Sequence, residues 1–169
     1  MGSAMFAVAA LTLALAVAAS GAGTSPRAVP GLRATTRSYD FTLTLGMPEQ
    51  MWTLAQVKAM HPKMGELMLM GSMAGGMPMG DTQRHLEVHI YSRATGKPVA
   101  GADPTISIVD TSVKNAAPQK VPVAEMESVR IGPADLHYGN NVELTGGHTY
   151  RVIVTLNRQV AVLQATAPM

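Results

Sequence analysis

Cysteine is absent from this 169-residue chain, so no disulfide, no thiol nucleophile, no lipid-bearing thiol and no thiolate metal ligand can form. Any soft metal ligand must therefore be methionine. Aromatic residues are few, with one Trp, four Tyr and two Phe, and charged residues make up only 14%. The 13 basic and 11 acidic residues are scattered along the chain and leave a formal charge of +2, without the clustered basic stripe of a nucleic-acid binder. Also missing are a phosphate-cradling glycine loop, a Gly-x-Ser-x-Gly elbow and a paired-carboxylate arrangement that points to hydrolysis. The expectation is a protein that is not an enzyme and does not bind nucleic acid.

Charge is missing as well from the first 26 residues, where Met5 to Ala19 form an apolar run followed by Ser20-Gly21-Ala22-Gly23. That pattern reads as a signal peptide over residues 1–23 and implies export, to the periplasm or outside the cell. The run is shorter than the about 20 residues of a membrane span, although its start lacks the usual basic residues. A retained membrane anchor is the competing reading. Residues 24–37 carry Thr, Ser, Pro, Gly and Arg with no hydrophobic period and read as a flexible lead-in, leaving residues 38–169 as one domain.

Within that domain the hydrophobic period is two. Tyr39, Phe41, Leu43 and Leu45 alternate with polar residues, as do Tyr150, Val152, Val154 and Leu156. Further strands are expected over Glu66–Met73, the His85 segment, Thr105–Val109, Lys120–Ala124 and Val160–Ala165. Thr53-Leu54-Ala55-Gln56 has capping-box spacing, and Pro62 limits the helix it starts to about two turns. Gly132-Pro133, Gly139-Asn140-Asn141, Gly146-Gly147 and Asn157-Arg158 read as turns. Seven or eight short strands with one short helix predict an all-β fold, an antiparallel immunoglobulin-like β-sandwich. Gly147-His148-Thr149-Tyr150 ahead of a strand is similar to the tyrosine corner of such sandwiches.

The chemistry-bearing residues concentrate in His85-Leu86-Glu87-Val88-His89 and His137-Tyr138-Gly139. On a strand His85, Glu87 and His89 share one face and Leu86, Val88 and Ile90 the other, so one face joins a core while its reverse offers ligands or simply meets water. Imidazole, carboxylate and thioether suit a late first-row metal, with sulfur favouring Cu(I) and the harder donors accepting Cu(II) or iron. His85 and His89 lie about 13 Å apart on a straight strand, too far to share one ion without residues from elsewhere. Nine of the 13 methionines fall between Met47 and Met79. Met73, Met77 and Met79 sit among glycines that let thioethers converge on an ion, while Met47, Met51, Met60 and Met64 are expected to fill core gaps. A hairpin closed by residues 71–80 would set Met68 and Met70 beside His85, Glu87 and His89. His61 and His148 are expected to have non-ligand roles.

Taken in order, His85-Leu86-Glu87, Val121-Pro122-Val123, His137-Tyr138-Gly139-Asn140-Asn141-Val142 and Tyr150 with its strand resemble the periplasmic iron-uptake proteins that accompany ferrous-iron permeases and bind copper. The similar segment runs from about Thr82 to Thr155. The resemblance implies a dimeric immunoglobulin-like sandwich in which His85, Glu87 and His137 surround a copper ion. It also implies a membrane iron permease or a copper acceptor as partner. The family's methionine follows the proline, where this chain has Val123, and the nearest sulfur is Met126, displaced along the chain. The leading reading is an exported protein holding copper or iron for uptake or transfer. An extracytoplasmic interaction module without metal and a small redox metalloenzyme are the alternatives.

Overall fold

The structure, a computed structural model, describes residues 32–71 and 82–169. The expected signal peptide, most of the lead-in and Met73, Met77 and Met79 lie outside the described residues. The strands are β1 (Arg33–Thr35), β2 (Tyr39–Gly46), β3 (Met51–Trp52), β4 (Glu66–Met70), β5 (Gln83–Ser92), β6 (Thr105–Asp110), β7 (Gln119–Val121), β8 (Ala124–Ser128), β9 (His137–Glu143), β10 (Thr149–Leu156) and β11 (Gln159–Thr166). One helix, α1 (Leu54–Met60), and a 3-10 turn over Gly132–Asp135 complete the described elements.

The chain is all-β, and its strands form a seven-stranded sheet ordered β1-β2-β5-β9-β8-β4-β3 and a four-stranded sheet ordered β11-β10-β6-β7. Among the described residues eleven strands stand where seven or eight were expected, for identifiable reasons. Residues 33–35 of the expected lead-in pair with β2 as β1, Ala34 lying opposite Phe41. The expected strand Lys120–Ala124 is broken at Pro122, which has no N–H to give a ladder. The chain thereby leaves the four-stranded sheet at Val121 and enters the seven-stranded one at Ala124. The purely antiparallel expectation is also corrected, because β3 runs parallel to β4 across α1.

Both sheets turn their apolar faces to one core. Phe41, Leu43, Leu86, Val88 and Ile90 from the larger sheet meet Ile106, Ile108, Val152, Val154 and Leu163 from the smaller. Each such side chain contributes about 1.5–3 kcal/mol on leaving water. The Tyr150 hydroxyl accepts the Thr145 N–H at 2.9 Å, pinning the turn before β10 as the sequence suggested. Asn157 and Arg158 both have positive φ, 48° and 63°, and close the β10–β11 hairpin.

The capping box at Thr53 forms in full, and α1 ends at His61, which turns left-handed before Pro62 and donates its N–H to Val57. This helix buries none of its residues. It touches β3 and β4 at the sheet edge, yet Met60 is 61% exposed, and Met64 and Met47 are 75% and 60% exposed. That corrects the packing role expected for these three. Of that group only Met51 is buried. Gly139-Asn140-Asn141, expected as a turn, runs within β9 instead. A Cβ at Gly139 would collide with the Leu86 carbonyl, so glycine serves close strand approach here. Among the described residues no helix is long and apolar enough to cross a membrane.

Candidate metal centre

Residues paired directly across strands share a face. Because His85 lies opposite Asn141, Glu87 opposite Gly139, Met126 opposite His137, Met68 opposite Met126 and Glu66 opposite Ser128, all of these side chains stand on the reverse of the larger sheet, away from the main core. A second, smaller buried cluster of Met51, Ala124 and Met126, with Met68 against it, occupies the same face. His85 and His137 are fully buried, Glu66 is 6% exposed, and Glu87 and His89 are half-buried.

The donors form two overlapping groups, Glu66–His85–His137 and Glu87–His89–His137. His85 and His89 belong to different groups, as their spacing along β5 required, and His137 links them. Its ring centroid lies 5.6 Å from that of His85 and 5.4 Å from that of His89.

The outward nitrogen of each ring meets an oxygen. His85 Nδ1 lies 3.0 Å from Asn141 Oδ1, His89 Nδ1 3.1 Å from the Leu136 carbonyl, and His137 Nδ1 2.7 Å from the Asp135 carbonyl. A carbonyl only accepts, so His89 and His137 carry their proton on Nδ1. Asn141 is oriented independently, accepting the Glu49 N–H and donating Nδ2–H to the Glu49 carbonyl, so its oxygen faces His85 and gives that ring the same tautomer. The three Nε2 lone pairs are thereby turned inward, the arrangement by which oxygen acceptors orient metal-binding imidazoles.

Two lone-pair nitrogens, His85 Nε2 and His137 Nε2, then stand 3.5 Å apart with no proton to share. Glu66 Oε2 stands 3.6 Å from His137 Nε2, is buried, and has no hydrogen-bond partner. Metal–nitrogen and metal–oxygen bonds of about 2 Å span both separations. The donor set could hold a metal ion, and Glu66 Oε2 is the orphaned oxygen among its donors.

Electrostatics follow the same division. Burial first, then the charges of Asp135, Glu87 and Glu49, push the Glu66 carboxyl from 4.5 up to about 8, with His89 opposing. Burial lowers His85 to about 4, and it lowers His137 as well. Glu66 and His137 are therefore both neutral near pH 7 despite their closeness, and the contact is not an ion pair in the metal-free state. The outer pair differs. Burial pulls His89 down, but the hydrogen bond and charge of Glu87 outweigh it and raise the ring overall. Burial likewise raises Glu87, yet its bond to His89 and the nearby histidines hold it low. His89 Nε2 and Glu87 Oε2 are 3.4 Å apart and make an ion pair when the ring is protonated.

Met126 stands in β8 directly opposite His137 and is wholly buried. The expected hairpin between the Met68 strand and the His85 strand does not form. Both edges of β5 are taken, by β2 and β9, so β4 pairs with β8 and β3 instead. Met68 reaches the site's face through Met126. Glu66 was not among the expected ligands, although its strand was expected. The available signal was a lone carboxylate in the apolar strand Glu66-Leu67-Met68-Leu69-Met70. Asn141 carried no signal apart from its spacing after His137. His61 caps a helix, and His148 Nδ1 lies 2.7 Å from Oδ2 of Asp110, a residue of the four-stranded sheet.

The chain matches no known family model, no curated protein and no solved structure.

Proposed function

We propose that this chain is a metal-binding protein that holds copper, iron or both for uptake or transfer, without turning over a substrate. The observation that supports it is the grouping of His85 Nε2 and His137 Nε2 with the orphaned Glu66 oxygen, the Nδ1 of each of these two rings being occupied by an oxygen. His85, His137 and Glu66 would hold the ion in the inner group, with Glu87 and His89 beside it and the Met126 thioether on the same face. Two imidazoles, a carboxylate and a thioether accept both copper oxidation states better than a set of oxygens alone. The resemblance of His85-Leu86-Glu87 and His137-Tyr138-Gly139 to the permease-associated copper-binding proteins agrees with this reading. With it come the proposals of an immunoglobulin-like topology, export, homodimerisation and delivery to a membrane iron permease or copper acceptor.

The test is metal analysis of protein purified without chelators, followed by Cu(I), Cu(II), Fe(II) and Zn(II) titrations of parent, His85→Ala and His137→Ala. Stoichiometric copper in the parent and loss of tight binding in both variants, with strand circular dichroism retained, is the expected result. Copper titrations that do not change in either variant would overturn the assignment.

A further inference from the structure

A groove of about 500 Å³ opens beside the buried donors, lined among others by Glu49, Gln50, Trp52, Met60, Lys63 and Met64. Its two methionines are 61% and 75% exposed, an unusual fate for thioethers. The Trp52 indole, which lines the same groove, is held in place because its Nε1 donates to the Met64 carbonyl at 2.9 Å. Glu49 and Lys63 carry opposite charges, so the groove's own charge balance does not repel a monovalent cation.

The wall of this groove is also the wall of the buried centre. Glu49 clamps the Asn141 side chain that orients His85, and the Gln50 carbonyl accepts the N–H of Glu66 at 2.8 Å. Gly65, next to Glu66, has a φ of +96° and lies so close that a Cβ would come within 2.7 Å of Trp52 Nε1.

We propose that Met60, Met64 and the Trp52 ring form an outer receiving site for a soft monovalent cation, Cu(I), one backbone layer from the buried donors. Two thioethers with an aromatic face suit such an ion and hold it weakly enough to pass on, since neither sulfur carries charge. The inference deepens the copper reading and rests on it for direction of transfer, but its readout does not depend on the buried residues.

Trp52 is the single tryptophan of the chain, so its fluorescence reports on this groove alone. The probe is Ag(I), which matches Cu(I) in charge and softness and is inert to air. Equimolar Ag(I) should quench Trp52 in the parent and in the His85→Ala/His137→Ala double variant, and should not quench it in Met60→Leu/Met64→Leu. The exposed Met-to-Leu changes keep volume and leave circular dichroism unchanged. Unquenched parent emission, or quenching that survives in Met60→Leu/Met64→Leu, would overturn the outer site. A Cu(II) titration of the same proteins separates the two readings. Parent protein that quenches with Ag(I) yet binds no Cu(II) supports the outer site and strikes the buried one.

Discussion

Replacing Glu66 by Gln should remove one slope from the pH dependence of stability in the metal-free protein. The unfolded chain releases the Glu66 proton near 4.5, whereas the folded chain keeps it to about 8. The folded state therefore binds more protons across that window, and stability present below 4.5 is lost as pH climbs toward 8. His85 works in the opposite sense. Its ring is lowered from 6.5 to about 4, so its contribution is present above 6.5 and lost as pH falls toward 4. Between 4.5 and 6.5 the two offset each other, and from 6.5 to 8 the Glu66 slope is no longer opposed by His85. At about 1.4 kcal/mol per pH unit that window carries about 2 kcal/mol. Part of the shift comes from Asp135, Glu87 and Glu49 acting through solvent, which reduces the figure to about 1–2 kcal/mol. Gln has the same shape and no titration. Urea unfolding of chelator-treated protein, followed by circular dichroism across this range, should show the parent losing that amount while Glu66→Gln does not. Bound copper should flatten the parent's slope, because the ion takes the ionised carboxylate. Parallel pH profiles for parent and variant would refute the reasoning.

Asn141→Ala releases both the His85 ring and the Glu49 backbone, and should weaken copper binding by about 10–100-fold with the strand circular dichroism retained, measured by competition titration. Met126→Leu keeps volume while deleting the buried sulfur opposite His137, so Cu(I) affinity should fall more than Cu(II) affinity, and equal losses would remove Met126 from the donor set. Gly139→Ala forces a methyl against the Leu86 carbonyl between β5 and β9, and should cost about 3 kcal/mol in chemical denaturation.

The reading of His85, Glu87 and His89 as one strand face succeeded because a two-residue period is a local property of the chain. Leu86, Val88 and Ile90 on the reverse face are each no more than 1% exposed. The capping box at Thr53, the strand alternation after Tyr150 and the hydrogen bond of that tyrosine to Thr145 are local in the same sense. Local signals failed where a distant partner decided the outcome. Gly139-Asn140-Asn141 carries turn chemistry, yet β5 pairs with all three residues, and β8 with Gly139, and they hold the segment extended. Met60 and Met64 have helical spacing suited to packing, but nothing in the sequence says that α1 ends at Met60 and that both methionines stay exposed.

Sequence by itself determined the all-β character, the absence of any thiolate chemistry and the presentation of two histidines and a carboxylate on one strand. Tertiary structure alone decided which of these donors meet. Strand order places β8 beside β9 and β4 beyond β8, and so delivers Met126 and Glu66 to the face where His137 joins His85 and His89. Glu66 precedes His137 by 71 positions, and no periodicity reaches over such a distance. Sheet order is set by which apolar faces and ladder edges pair best across the whole chain, a long-range competition that no local pattern encodes.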